Sequence, residues 1–428
     1  MEITASIERY AGGDGMGDGS ALRNLPPRRI AIFTGAYNHI ADGVSLTLNR
    51  LVEHLESTGA AVLVLAPTVE NPPIKHAGTL VPIPSLAAPG RPDYRISLGL
   101  TPSARKRLEA FNPTLFHIAT PDILGFQALK LARKWNLPVV ASYHTHFSSY
   151  LKYYRLSLIE TWMWKYLRSF YAQCSHVYVP TPEMAEVLRS QGINNGLELW
   201  PRGVDTRMFN PEKRSTRWRR NLGISDQEVV VTFVSRLVWE KGLDVFAEVI
   251  ESLSREGIPH RSVVVGDGPA RSALEERLPG TIFVGYTRGA ELARAYSSSD
   301  VFLFPSETET FGNVTLEAMA SGLPTVCADA PGSNALVSHG KTGYLASPRD
   351  SRAFYDRVRA LVLDETLRGK LGINASRRAR EYSWQVVLSR MTRYYDQILG
   401  RIPSFVIEHP FPHEPRTNTP VQQVSLTY

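Results

Sequence analysis

Cysteine is scarce: Cys174 and Cys327 are the only two in 428 residues. Two cysteines build neither a disulfide scaffold nor a Cys-rich zinc site. Both stand in apolar runs, which predicts buried thiols and fits a reducing compartment. No stretch approaches 18 consecutive apolar residues, so no helix is expected to span a bilayer. The first twenty residues lack the basic head and apolar core of a secretory signal. Their Gly, Asp and Ser content reads as a flexible leader up to residue 27. No basic run of the kind that tracks a phosphate backbone is present, so a nucleic-acid partner is not expected. No Asp-x-Asp occurs anywhere, which removes the simplest carboxylate seat for a cation at a diphosphate.

What is present is ordinary globular material. Apolar residues make up 43%, enough for two cores, and the length predicts two domains. The formal charge is +7, from 48 basic against 41 acidic residues, which favours anionic partners such as phosphates, nucleotides or acidic lipid. Short apolar runs alternate with helical spacing. Residues 28–34 and 61–66 read as strands around a helix whose apolar positions include Leu48, Leu51, Val52 and Leu55. Further runs at 115–119, 138–143 and 176–180 continue the pattern. It restarts after a polar, basic stretch at 210–220, with strands expected at 229–234, 262–265, 281–284, 301–304 and 325–328. Alternating β and α predicts parallel sheets covered on both faces. Two such halves predict two Rossmann-like domains, a linker near 203–222, and a central cleft outside the carboxyl ends of the strands. Residues 401–428 read as a tail.

Five constellations could carry chemistry. In residues 304–324 a strand ends at Pro305, a loop follows, and a helix begins near Asn313. Such a loop presents free backbone N–H groups at a helix N-terminus, a ready anion site. Glu309 and Glu317 flank that start and could both face one cleft, where carboxylates suit paired sugar hydroxyls. The spacing alone equally allows Glu309 as a helix cap and Glu317 as a solvated helix residue. Arg236 and Lys241 follow a strand and precede a helix, where two cations could hold a diphosphate; an ordinary basic loop has the same look. Gly266 and Gly268 flank Asp267 after another strand, and permit close backbone approach to a ligand or simply a tight turn. His144 follows the strand at 138–142 and could donate to a substrate oxygen, or be structural. In the loop from Gly35 to Val44, Asp42 is placed to cap the next helix, and Gly43 to let an acceptor or phosphate come close.

Together these motifs resemble glycosyltransferase family 4, whose hallmark is a glutamate pair separated by seven residues. Here the pair is Glu309 and Glu317 in ETFGNVTLEAMASGLP, with Arg236, Lys241 and the Gly-Asp-Gly turn at 266–268. The resemblance covers roughly residues 29–400. One departure is Ser235, where this family commonly has Gly. The resemblance implies the GT-B architecture: an acceptor-binding domain at 28–205 and a nucleotide-sugar-binding domain at 206–400. It implies a retaining hexosyltransferase without cofactor or metal. Glu317 would meet the ribose hydroxyls and Glu309 the donor sugar. Backbone N–H groups of Phe311, Gly312 and Asn313 would meet sugar and phosphate oxygens, and Arg236 and Lys241 would neutralise the leaving diphosphate. His144 becomes a contact to the donor sugar and transition state.

Two stretches, 142–168 and 199–206, are similar to bacterial GDP-mannose-dependent α-mannosyltransferases and sulfolipid synthases. They imply mannose from GDP-mannose first, and UDP-linked glucose, glucuronate or sulfoquinovose second. The acceptor implied is a lipid or lipid-linked saccharide. Residues 147–171 hold nine aromatics, with Lys152, Arg155, Lys165 and Arg168 interleaved. That composition suits an anionic membrane surface, or the lining of a cleft and core. A cytoplasmic protein with peripheral membrane contact is expected.

Overall fold

The structure, a computed structural model, describes residues 25–88, 91–143, 157–309 and 311–402. His144, residues 147–156 of the aromatic stretch, most of the 1–27 leader and nearly all of the 401–428 tail lie outside the described residues. Two parallel sheets carry the chain. The first has the order β3 (Thr79–Pro82), β2 (Ala61–Ala66), β1 (Arg29–Phe33), β6 (Leu115–Ile118), β7 (Val139–Ser142), β8 (His176–Val179), β9 (Leu197–Leu199). A hairpin of β4 (Ser85–Ala88) and β5 (Arg91–Ser97) stands apart from it. The second has the order β12 (Ile282–Gly285), β11 (Arg261–Val265), β10 (Val230–Val234), β13 (Val301–Phe304), β14 (Thr325–Ala328), β15 (Gly343–Ala346). In each sheet the order reverses once, between β1 and β6 and between β10 and β13. Loops diverge at such a reversal and leave a crevice at the carboxyl ends of the strands.

The inner strands of each sheet are buried on both faces, as the continuous apolar runs require. In β1, Ile30 and Ile32 join one core layer while Ala31 and Phe33 join the other. Asp42 caps the helix Gly43–Ser57 by accepting from the Ser45 N–H at 2.8 Å. Cys174 and Cys327 are both buried and free, and burial pushes each thiol up to about 12.

The basic stretch 210–220, within the linker expected near 203–222, does not stand free of the second domain. Arg219 is fully buried and bonds Asp300 Oδ2 at 3.0 Å, Ser298 O at 3.0 Å and Ser225 O at 2.8 Å. Arg214 joins Asp300 Oδ1 at 2.9 Å. Buried charges need such partners, and these tie the stretch to the second domain. Nor does the last helix, Trp384–Ile398, stay with the domain assigned to 206–400. Val387, Met391, Tyr394 and Tyr395 enter the core of the first sheet. There Tyr395 OH meets His117 Nδ1 at 2.7 Å, and Arg28 grips Asp396 through two bonds of 2.7 Å. Burial holds His117 down to about 3, so its neutral ring serves Tyr395 on one side and Ser142 Oγ at 2.5 Å on the other. The two interdomain crossings run side by side, with Val204 N–H donating to Tyr382 O and Trp384 N–H to Val204 O. Among the described aromatics of the 147–171 stretch, at 162–171, the surface and core readings each have members. Trp164, Phe170 and Tyr171 are core residues, and half-buried Tyr166 donates to Pro121 O at 2.9 Å. Trp162 is exposed, with Lys165 over its ring.

Candidate functional site

The site forms at the reversal of the second sheet, between the loops that leave β10 and β13. Gly242 brings them together. Its φ of 75° suits glycine, and a Cβ there would lie 2.7 Å from Pro305 O. The helix Leu243–Arg255 can therefore start against the end of β13. Lys241, one residue earlier, reaches the loop after β13, where Nζ donates to Glu309 Oε1 at 2.7 Å and Thr308 Oγ1 at 3.2 Å. Gly332 lies under the same loop, since a Cβ there would meet Glu309 O at 2.6 Å.

The helix Asn313–Ala320 begins beyond Gly312, whose φ of 86° again suits glycine, and no side chain caps its start. Glu309 is thus an ion-pair partner rather than a cap. The first N–H groups of the helix keep their capacity for an anion, with no acidic residue in the first turn to oppose one. Phe311 is buried against the Tyr382 ring at 6.1 Å, which anchors the loop to the interdomain crossing. Asn313 is exposed. Glu317 is not a solvated helix residue: it is half-buried and accepts from buried Tyr296 OH at 3.3 Å. Burial pushes its carboxyl up to about 7, against the opposing pull of Tyr296.

Arg236 is not drawn to Lys241. Its guanidinium is exposed and pairs with Glu240, four residues along the loop, at 3.3 Å. Beside it a cavity of about 400 Å³ opens at the ends of β10, β11 and β12, lined by Ser235, Arg236, Gly266, Asp267, Tyr286 and Thr287 among others. Thr287 Oγ1 is buried there without a hydrogen-bond partner.

The glycines of the 266–268 turn act differently from the ligand-approach reading. A Cβ on Gly266 would meet Ser235 O at 1.8 Å, and one on Gly268 would meet Leu237 O at 2.4 Å. The space that glycine frees is filled by the 235–237 backbone, whose Leu237 N–H donates to Asp267 O at 2.9 Å. These glycines hold the Arg236 loop in place. Gly43 has the guanidinium of Arg202 beside it: Arg202 Nη1 donates to Gly43 O at 2.6 Å and also bonds Thr47 Oγ1. Burial brings the Arg202 guanidinium down to about 10. Arg202 was not singled out in the sequence. Its signal was its place in the interdomain crossing, opposite the Gly43 loop.

The geometry thus offers a cation–carboxylate pair, a second carboxylate that can change charge near neutral pH, and an uncapped helix start at one crevice. Two family models match the chain: Glycosyltransferase Family 4 over residues 41–208 and Glycosyl transferases group 1 over residues 228–364. A GDP-mannose-dependent alpha-mannosyltransferase of Corynebacterium glutamicum is 31% identical over 390 residues, covering 89% of this chain and 92% of that protein. Its counterpart in Mycobacterium tuberculosis is 32% identical over 388 residues, covering 87% and 97%. The sulfoquinovosyl transferase SQD2 of Arabidopsis thaliana is 32% identical over 375 residues, covering 85% and 72%. Among solved structures, a sucrose-phosphate synthase from Thermosynechococcus elongatus superposes with a TM-score of 0.68 at 22% identity, covering 87% of this chain and 99% of that one. WaaG, a glycosyltransferase involved in lipopolysaccharide biosynthesis, gives 0.60 at 18%, covering 87% and 100%. The two Rossmann-like halves are those of the GT-B fold, and with these matches the chain belongs to glycosyltransferase family 4.

Proposed function

We propose that this protein is a retaining hexosyltransferase that moves mannose from GDP-mannose to a lipid or lipid-linked glycan acceptor. The observation that carries the reading is the Lys241–Glu309 pair at the crevice of the second sheet, one loop from an uncapped helix start. In this reading the diphosphate lies between Lys241, Arg236 and the N–H groups of Gly312 and Asn313. Glu309 accepts hydroxyls of the donor sugar, and Glu317 accepts the ribose hydroxyls. The base occupies the cavity at Tyr286 and Thr287. The acceptor oxygen bonds the anomeric carbon on the face that the diphosphate leaves, and a departing phosphate oxygen takes the acceptor's proton. Preorganised cations meet the charge as it develops on the leaving group. His144 remains the proposed contact to the donor sugar.

The mannosyl donor is supported by the similarity to two GDP-mannose-dependent enzymes. A second reading, transfer from a UDP-sugar to a glycolipid, is supported by the comparable similarity to SQD2. A donor panel of GDP-mannose, UDP-glucose, UDP-glucuronate and UDP-galactose separates them, with released nucleotide as the readout.

With Lys241 and Arg236 as the cations at the diphosphate, no resident metal is required. Transfer measured in EDTA is expected to match the untreated rate within about twofold. A loss restored by Mg²⁺ or Mn²⁺ would contradict the assignment.

The raised Glu317 carboxyl gives a pH signature. The folded protein holds this proton up to about pH 7, well above the usual 4.5. The group is therefore largely neutral at pH 6 and ionised at pH 8, and the ionised form accepts both ribose hydroxyls. Nucleoside diphosphate should bind roughly tenfold more tightly at pH 8 than at pH 6, following the ionised fraction. In Glu317→Gln that part of the pH dependence should vanish. Titration calorimetry across this range checks it, and identical profiles for the two proteins would remove Glu317 from the ribose. For stability the sign is opposite: the raised carboxyl stabilises the fold below its usual value and loses that contribution as pH rises through about 7.

A further inference from the structure

We infer that Arg202 is a positioning residue for transfer: it fastens the Gly43 loop to the same interdomain crossing that anchors the loop carrying Glu309, and so holds the two sides of the crevice in register. The inference rests on the transferase reading, and the experiment below separates the two.

The helix Gly43–Ser57 supplies the first half of the contact. Gly43, Thr47 and Arg50 follow at spacings of four and three, so they share one face of it. That face meets the crossing at two points. At the first turn, Arg202 Nη1 donates to Gly43 O at 2.6 Å and also to Thr47 Oγ1. Thr47 is buried, and its own hydroxyl donates to Gly43 O at 2.7 Å. Farther along, the Arg50 guanidinium lies 4.9 Å from the centroid of the Trp384 ring. Arg202 belongs to the strand of the crossing that leaves the first domain, and Trp384 to the strand that returns. The two strands are close packed, since a Cβ on Gly203 would lie 2.5 Å from the Trp384 ring.

The Gly43 end of the loop depends on this contact. Earlier residues are fixed within the first domain. Gly35 N–H donates to Thr120 Oγ1 at 2.9 Å, Tyr37 OH to Ala77 O at 2.7 Å, and Ile74 N–H to Asn38 O at 3.3 Å. His39 Nδ1 meets Pro67 O at 3.1 Å. For residues 40–43, among the described residues, the hydrogen bonds from outside their own helix come from Arg202. The guanidinium is also the nearest wall to Gly43, with Nη2 at 3.6 Å from where a Cβ would stand.

The second side of the crevice is tied to the same place. Phe311, in the loop after β13, packs on the Tyr382 ring, and Tyr382 OH donates to Ala335 O at 2.9 Å. Tyr382 O in turn accepts the Val204 N–H at 2.9 Å, two residues from Arg202. One contiguous path therefore runs from Gly43 through Arg202 and Val204 to Tyr382 and Phe311. Without its first link the Gly43 loop loses register with the loop across the crevice, and a misplacement of about 1 Å between reacting groups costs on the order of 10²-fold in rate.

The electrostatics argue against a purely structural arginine. Buried Arg219 has Asp300, and Arg28 has Asp396. Arg202, half-buried, makes no ion pair among the described residues and is held by a carbonyl and a hydroxyl. A guanidinium taken from water without a carboxylate is costly to the fold. Local costs of this kind gather where function needs them.

The test compares wild type, Arg202→Gln and Thr47→Val as full chains, in transfer kinetics, calorimetry with nucleoside diphosphate, and amide hydrogen exchange. In Arg202→Gln, kcat should fall roughly 10- to 100-fold. The donor KM and the nucleoside diphosphate affinity should stay within about threefold, because the second domain is untouched. Exchange of the amides in 40–47 should quicken roughly tenfold or more, with that of β1 unchanged. Thr47→Val removes one of the two acceptors and should shift kcat and exchange the same way by a smaller factor. Combined with Arg202→Gln it should add nothing further, since both act through one contact. If Arg202→Gln fails to fold by thermal melt, Thr47→Val decides. An unchanged kcat, exchange of 40–47 that stays at the wild-type rate, or nucleotide affinity that falls in step with kcat would overturn the inference. Wild type that turns over no donor counts instead against the transferase reading, and the exchange arm still reads whether Arg202 fastens the loop.

Discussion

Replacing Lys241 by alanine should lower transfer about 10²- to 10³-fold while the protein stays folded. The ammonium reaches into the crevice loop, 2.7 Å from Glu309, and in the proposed reaction it faces the diphosphate as negative charge gathers there. Removing one such preorganised group costs ~2.7–4 kcal/mol of transition-state stabilisation. The change also leaves the Glu309 carboxylate without its partner, which adds repulsion toward an incoming diphosphate. Turnover should therefore fall with a smaller rise in KM. Thermal melting checks the fold, since Lys241 lies in a surface turn and not in a core layer. A fall of less than about fivefold, ~1 kcal/mol, would remove Lys241 from the leaving group.

Glu309→Ala should be comparably severe and differ in kind from Glu317→Ala. Glu309 stands in the loop, between Lys241 and the backbone at Gly332. Its loss removes the acceptor for the sugar hydroxyls and frees Lys241 to wander. Transfer should fall ~10²-fold or more, with binding of free nucleoside diphosphate kept near its normal value. Glu317, seated deeper beside Tyr296, should show the other pattern. Loss of a charge-assisted acceptor for the ribose is worth roughly 1.5–3 kcal/mol, or about ten- to a hundredfold in nucleotide affinity. Calorimetry with nucleoside diphosphate and a transfer assay on both variants separate the roles. The reversed pattern would exchange the two assignments.

The apolar runs made most of the strands legible. The runs at 61–66, 301–304 and 325–328 coincide with β2, β13 and β14, because a doubly covered parallel strand must be apolar throughout. The missed strands are short or interrupted. β3 ends in Pro82, β5 alternates charged and apolar residues, and β9 and β15 hold three and four residues. The motif at 304–324 gave the helix start at Asn313 because Gly312 and the apolar strand before it carry local signals. The partnership of Lys241 with Glu309 was not legible. It depends on Gly242 meeting Pro305 across 63 residues of chain, a contact that no local pattern records. The return of Trp384–Ile398 to the first sheet is of the same kind. Its apolar face reads as core, yet the face alone does not say whose core. For Gly266 and Gly268 local reasoning found the need for glycine and left it between a ligand and a tight turn; the neighbour is the 235–237 backbone.

The measurement that bears most directly on the account is hydrolysis and transfer from the donor panel, run with EDTA present on wild type and Lys241→Ala. The account predicts GDP released from GDP-mannose, an α-linked mannoside with a lipid acceptor, and loss of both in the variant. Turnover of none of the four donors, a β-linked product from an α-linked donor, or equal rates in wild type and variant would contradict it.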